Sequence, residues 1–139
     1  MVRLTDEGIF DAPLDKIWRF MNDDTTHHHK SVTFSKVLEQ SDKHMIVELE
    51  TKSDGKTIIK HKAKFTFNPP KGFDMEFLSG PQTGTKHTHT YTPMGNKTRV
   101  VVEGEFKIQG LDDQATKKAA LAFLEQLFNE DNSALQKYK

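Results

Sequence analysis

Three side chains that combine an aromatic ring with a hydrogen-bonding group occupy alternate positions of one segment, as His87, His89 and Tyr91. Alternate residues of a β-strand face the same side of a sheet, so these groups are predicted to project together. His61 has a similar place, on the apolar side of an alternating segment over residues 57–67. Such groups inside an apolar pocket orient a carbonyl or hydroxyl group of a ligand, or transfer protons.

Asp131 is a candidate partner for these groups, because it lies near the centre of the apolar face of a predicted C-terminal helix. An imidazole buried without a hydrogen-bond partner costs about 1–3 kcal/mol, and a carboxylate supplies that partner. A second interpretation stays open, in which the histidines bond to one another or to water and have only a structural role. It also stays open that part of the strand carrying His87 and His89 faces outward.

Metal binding is a third interpretation, because His87 and His89 place two imidazoles on one strand face. Zinc requires three or four ligands, so His61, Asp131 or a histidine of the run at 27–29 would have to complete the set. The sequence contains neither an HExxH nor a CxxC motif. We therefore predict no bound metal and no cofactor.

The remaining motifs carry no recognisable catalytic chemistry. No serine lies in a GxSxG setting, and no pair of carboxylates stands out. The segment GPQTG at 80–84 precedes a strand pattern rather than a helix, so it predicts a hairpin connection and not a phosphate-binding loop. Lys60, Lys62 and Lys64 form a basic stripe on one side of a strand, which suits either a solvent-exposed face or an acidic partner.

Composition limits the classes of partner. The chain has 139 residues, which predicts one domain over residues 1–139. Lysine plus arginine (20) balance aspartate plus glutamate (20), so the chain lacks the basic charge typical of nucleic-acid binding or of attraction to anionic membranes. There is no cysteine, and no run of about 18 apolar residues that would predict a membrane span. We therefore expect a cytoplasmic protein without a nucleic-acid partner and without an integral membrane segment.

Apolar periodicity predicts the elements that position these groups. Helical spacing places Leu14, Ile17, Trp18 and Met21 on one face of a short helix, where Trp18 either packs in the core or forms the wall of a pocket. Asp112 or Asp113 is expected to cap a long C-terminal helix, and Gly104 inside a strand indicates a bulge or a sharp bend. The strands are predicted at residues 2–10, 32–39, 44–51, 57–67, 73–79, 83–92 and 97–108.

Four segments resemble a known superfamily: IFDAPLDKIWRFM, GPQTG before a strand, GNKTRVVVEGEF and FLEQLFNEDNSALQKY. Together they resemble the START/polyketide-cyclase (SRPBCC) helix-grip superfamily over essentially the whole chain. The resemblance implies an α+β helix-grip fold, in which a curved antiparallel sheet of about seven strands wraps around the long C-terminal helix. It also implies two short helices after the first strand, and a pocket between the sheet and the long helix.

Members of this superfamily bind lipids, polyketides or other hydrophobic molecules, and some are cyclases, hydrolases or chaperone activators, so the fold alone does not choose a function. The leading hypothesis is a non-catalytic module that binds a small hydrophobic molecule between sheet and helix. The alternatives are a cyclase, dehydratase or hydrolase that uses the pocket histidines and tyrosine as acid and base, and a chaperone-activator-like interaction module. The residues predicted to line the ligand site are Phe34, His61, Phe65, Phe77, His87, His89, Tyr91, Val102, Phe106, Phe123, Leu127 and Asp131.

Overall fold

The computed structural model describes residues 1–23, 32–52 and 57–138, and within them seven strands and two helices. The seven strands and the long C-terminal helix that the sequence predicts are confirmed. Of the two short helices that the resemblance implies, α1 is present, and a second would fall on residues 24–31, outside the described residues. The elements are β1 (Val2–Phe10), α1 (Leu14–Met21), β2 (Val32–Gln40), β3 (His44–Lys52), β4 (Ile58–Asn68), β5 (Gly72–Ser79), β6 (Lys86–Met94), β7 (Lys97–Phe106) and α2 (Asp113–Lys137).

All seven strands form one antiparallel sheet in the order β1-β7-β6-β5-β4-β3-β2. Directly paired residues of antiparallel strands share a face, so the register assigns each side chain to one of two faces. In the row Leu4, Gly104, His87, Met75 and Phe65, each residue pairs with the next across five neighbouring strands. We call the face that contains this row the inner face, because it is the one that α2 covers, and the opposite face the outer face.

Helix α2 lies on the inner face, close to β1 and β7. Ala120, Leu124 and Leu135 form one buried core with α1 and with inner-face residues of β1, β6 and β7. Gly8 of β1 allows this close approach, because a Cβ there would come within 2.7 Å of the Phe128 ring. No helix among the described residues is long and apolar enough to cross a membrane.

Two expectations about local geometry are resolved by the structure. Asp112 is the N-cap of α2, since its carboxylate accepts a hydrogen bond from the Ala115 N–H at 2.7 Å. Gly104 does not mark a bulge, because it pairs in register with both neighbouring strands. A glycine is required there because β6 lies so close that a Cβ would meet the Lys86 carbonyl oxygen at 2.1 Å.

The outer face carries charges whose sign alternates from strand to strand. The three lysines of β4 lie between acidic residues of β3 and β5, so the stripe predicted from the sequence has carboxylates on both sides. Opposite charges that face each other across strands stabilise the pairing, and this arrangement suits a solvent-exposed face. The pairs in register are Glu48 with Lys62, Glu50 with Lys60, and Lys64 with Glu76.

The edge strand β2 departs from regular alternation. Its pairing with β3 shifts register between Val32 and Phe34 and again between Val37 and Glu39. Such irregularities are frequent on edge strands, where they hinder pairing with another sheet. Val37 and Leu38 consequently remain 49% and 43% exposed, although both are apolar.

Candidate functional site

The side chains of His87, His89 and Tyr91 all lie on the inner face of β6. The His89 ring stacks on Phe73 of β5, with ring centroids 4.4 Å apart and planes inclined by 13°. The His87 ring stacks on Phe106 of β7 at 5.1 Å, with an interplanar angle of 2°. The two imidazoles are 4.9 Å apart. Each histidine is therefore fixed against an aromatic ring of a different neighbouring strand, as the alternation in the sequence predicts for one shared face.

Burial keeps both imidazoles uncharged at neutral pH. Loss of hydration lowers the pKa of His87 to about 4, although the nearby Asp74 carboxylate opposes this change. The pKa of His89 falls to about 3, chiefly through burial and further through its neighbour His87. A neutral imidazole has one N–H donor and one nitrogen acceptor, so each ring can donate one hydrogen bond and accept another.

That hydrogen-bonding capacity is not used within the described part of the chain. The Nδ1 atom of His87 is buried without a partner among the residues the structure covers. His89 makes ring contacts but no hydrogen bond with the described residues, and its side chain is only half-buried. A polar ring that is strongly desolvated yet keeps accessible surface is suited to bond a guest molecule.

Tyr91 connects this row to both helices. Its hydroxyl group donates a hydrogen bond to the sulfur atom of Met21 at 3.4 Å, and its ring meets Trp18 of α1 edge-on at 5.8 Å. Burial raises the pKa of Tyr91, and the negative charge of Asp131 on α2 raises it further. The phenol is therefore protonated at neutral pH and remains a hydrogen-bond donor. The Trp18 indole N–H donates to the Pro70 carbonyl oxygen at 3.0 Å, which ties α1 to the β4–β5 turn.

His61 is also on the inner face but lies apart from this group. It is on β4, four residues from Phe65, which is the residue in line with His87 across β5. Its Nε2 atom is 3.0 Å from the Thr51 hydroxyl group, and its ring meets Phe77 at 5.6 Å. Burial lowers the pKa of His61, and its Nδ1 atom has no partner in the described residues. The structure thus brings together the three β6 residues and Asp131, but not His61.

The inner groove is the part of the inner face beside α2 where apolar side chains are only half-buried. Its aromatic side chains are continuous, because Phe65 contacts Phe67 at 6.1 Å and Phe73 at 5.9 Å, and Phe73 stacks on His89. Phe123 and Leu127, on the apolar face of α2, are half-buried as well, and we count them with this surface. The inner groove comprises Met45, Leu49, Phe65, Phe67, Phe73, Met75, His89, Phe123 and Leu127.

The residues predicted to line a site fall into two groups. Phe65, Phe123 and Leu127 are half-buried and belong to the inner groove. Phe77, Val102 and Phe106 are buried core residues, 7%, 8% and 4% exposed. The prediction for Phe34 concerns a side chain outside the described residues.

Several inner-face residues were not among those predicted to line the site. The period of two in β5 places Phe73 and Met75 on an inward face with Phe77, and the structure has them there, but the predicted lining included only Phe77. Asp6 of β1 pairs with Val102 and is half-buried on the same face. Asp6 lies two residues from Leu4, so strand alternation places both on one face. It was not predicted there because a carboxylate is expected to face solvent.

Metal ligation finds no support in the geometry of the described residues. No group of three potential metal ligands comes together among residues 1–23, 32–52 and 57–138. His87 and His89 have an aromatic ring on their other sides, and His61 is on a different part of the sheet. The histidines at 27–29 lie outside the described residues.

A cleft of about 650 Å³ lies on the outer face and differs in chemistry from the predicted site. Its walls carry charged and hydroxyl groups that bind one another. Thr88 donates a hydrogen bond to Asp74 at 2.5 Å, and Lys86 lies 3.8 Å from Glu76. Most residues that line the cleft are charged or carry a hydroxyl group, whereas most residues of the inner groove are apolar.

Residues 1–138 match the family model described as polyketide cyclase / dehydrase and lipid transport. The chain belongs to this family. No curated protein matches the sequence. The resemblance seen in the sequence segments is thereby confirmed, together with the fold that it implied.

Solved structures of low sequence identity share the fold. A protein from Thermus thermophilus is 15% identical, with a TM-score of 0.82 and 98% of each chain covered. A START superfamily protein from Mycobacterium smegmatis is 13% identical, with a TM-score of 0.78 and 97% of each chain covered. The Zhui aromatase/cyclase from a Streptomyces species is 14% identical, with a TM-score of 0.74, and the match covers 96% of this chain and 90% of that one.

Proposed function

We propose that this protein binds a small hydrophobic molecule in the inner groove, without chemical conversion, and that His89 fixes the polar end of the ligand. The observation that carries the proposal is the coexistence of half-buried aromatic side chains with an imidazole that has no hydrogen-bond partner among the described residues. Apolar burial supplies about 25 cal/mol per Å² of surface removed from water, and the imidazole supplies orientation.

His87 and Tyr91 support His89 in this role. His87 limits the movement of the His89 ring from one side and Phe73 from the other. The Tyr91 hydroxyl group has only the Met21 sulfur as a described hydrogen-bond acceptor, and sulfur is a weak one. A ligand oxygen would be a better acceptor, so Tyr91 is the second proposed contact for the polar end.

An enzyme of cyclase or dehydratase type is the second candidate, and the likeness to the Streptomyces aromatase/cyclase favours it. Efficient general acid–base catalysis requires a pKa near the operating pH. With pKa values of about 4 and 3, His87 and His89 are weak bases and carry almost no proton to donate at neutral pH. This argues for binding over proton transfer in the unliganded protein.

Native mass spectrometry of freshly purified, untagged protein tests the proposal. We expect a population of higher mass whose excess is released by organic extraction as an unmodified hydrophobic compound. Its binding should weaken at least about tenfold in His89→Phe. This variant keeps an aromatic ring stacked on Phe73 but removes the hydrogen bonds that the imidazole would make with the ligand. Recovery of a chemically changed compound after incubation would favour the enzyme, and ligand affinity unchanged in His89→Phe would remove His89 from the site.

A further inference from the structure

We propose that the inner groove selects hydrophobic molecules whose polar group is uncharged, such as alcohols and ketones, and rejects the corresponding carboxylates. This inference rests on the proposed binding function and specifies the ligand class for the same site. It follows from where the charged side chains lie, and from the chemistry of the groups that face the groove.

Cationic side chains are segregated to the outer face of the sheet. Every lysine and arginine in the described strands is at a register position of the outer face. On β4, lysines alternate with His61, Ala63 and Phe65, so the inner position is apolar or neutral each time. On β7, Arg99 pairs with outer positions and joins Glu7 in an ion pair. No guanidinium or ammonium group of these strands can therefore neutralise an anion in the groove.

An acidic side chain lies beside the polar row of the inner face. Asp131 projects from the apolar face of α2 close enough to Tyr91 to raise its pKa. Burial lowers the pKa values of the inner-face histidines His61, His87 and His89, which favours their uncharged forms. A carboxylate in the groove would lose its hydration without gaining a cation from the described strands, and the negative charge of Asp131 would repel it.

An uncharged polar group meets no such penalty. A hydroxyl group can donate to one histidine and accept from the other or from Tyr91, since neutral imidazoles offer both a donor and an acceptor. A ketone can accept from Tyr91, which burial keeps protonated. The groove thus offers hydrogen-bond donors and acceptors that suit an uncharged oxygen atom better than an anionic one.

Matched competitors test the selectivity. The neutral fluorescent probe N-phenyl-1-naphthylamine is bound first and then displaced by 2-naphthalenemethanol or 2-naphthoate, and in a second series by 1-decanol or decanoate. We expect each alcohol to compete on the order of 100-fold more strongly than its carboxylate, which is the scale of an uncompensated buried charge. If an acid competes as well as its alcohol, or if an alcohol does not compete, the proposed selectivity is wrong, while binding of the probe still supports a hydrophobic binding site. If the probe does not bind, both the selectivity and the proposed binding function are contradicted.

A pair of variants tests the origin of the effect. Asp131→Asn removes the carboxylate beside the groove, and Glu125→Gln makes the same charge change on the exposed face of the same helix. We expect Asp131→Asn to narrow the alcohol-to-acid ratio at least about threefold, and Glu125→Gln to leave it unchanged. Equal ratios in both variants would overturn the role assigned to Asp131, and circular dichroism confirms that both variants are folded.

Discussion

Burial rather than sequence neighbourhood decides the charge of the two β6 histidines. Both are flanked by threonines and lysine in the sequence, which indicates a polar segment. In the sheet, however, they stack on Phe106 and Phe73, and the loss of hydration lowers their pKa values to about 4 and 3. They act as neutral polar groups at physiological pH, which is the property that both proposals use.

The lowered pKa of His89 predicts how stability depends on pH. The unfolded chain binds a proton at this residue below about pH 6.5, whereas the folded protein does not until about pH 3. Between these values the unfolded state holds more protons, so the free energy of unfolding falls as the pH falls, by about 1.4 kcal/mol per pH unit for this residue.

We therefore expect His89→Gln to flatten that dependence by about 1.4 kcal/mol per pH unit in the acidic window, because glutamine does not titrate. Urea unfolding of both proteins at several pH values between about 4.5 and 6.5 measures this. Parallel curves for the wild type and the variant would mean that His89 titrates normally in the folded protein, which would contradict its placement in a desolvated groove.

The face on which a single side chain lies was predictable wherever the period of a strand or helix determines it. The shared face of His87, His89 and Tyr91 and the inward position of Asp131 follow from the periods of strand and helix. The grouping of His61 with them does not hold, because alternation gives a face but not the position along the sheet. That position depends on the register between β4, β5 and β6, which is a long-range property of the sheet.

At the scale of elements, the N-cap of α2 is the simplest contact to test. Asp112 accepts a hydrogen bond from the Ala115 N–H, and the helix dipole favours its negative charge. We expect Asp112→Ala to lower the free energy of unfolding by about 1 kcal/mol, and Asp112→Asn to retain most of the stability because asparagine also caps. Chemical denaturation compares the three proteins, and equal losses in both variants would mean that the cap bond contributes nothing.

The contact between β6 and β7 at Gly104 gives a larger effect. A methyl group there would meet backbone atoms of Lys86 and His87 at 2.1 and 2.5 Å, so the two strands would have to separate. We expect Gly104→Ala to cost at least about 3 kcal/mol of unfolding free energy. The control is Gly110→Ala, where φ is +86° but no atom lies within 4 Å, and the cost should be about 1 kcal/mol. Similar losses at both positions in thermal or urea unfolding would contradict the close approach.

The helices and strands were more predictable from the sequence than the register shifts and close backbone contacts within them. Clean alternation indicated the strands, and helical spacing indicated α1 and α2, because one face of each is buried. The register shifts in β2 were not predictable, since an edge strand has a neighbour on one side only and its side chains are largely exposed. Gly104 was recognised as special, but the reason is the proximity of a backbone from another strand, which the sequence does not display.

For the whole molecule, the position of α2 divides the inner face into two regions. The helix covers the side of β1 and β7 and completes the main core there, whereas β3, β4 and β5 hold a smaller buried cluster of Val47, Ala63 and Phe77. The half-buried aromatic side chains of the inner groove pack against both clusters, Phe73 against the main core and Phe65 against the smaller one. The described strands carry their lysines and arginines on the outer face of the sheet, so the same alternation that builds the fold directs the strand cations away from the groove.

Blocking the inner groove tests binding there most directly. Leu127→Trp places a bulky ring on the groove wall, and Gln126→Trp places the same ring on the exposed face of the same helix. With N-phenyl-1-naphthylamine as the probe, we predict that Leu127→Trp weakens binding at least about tenfold while Gln126→Trp binds like the wild type. If Leu127→Trp is folded and binds the probe with unchanged affinity, the ligand site is not the inner groove.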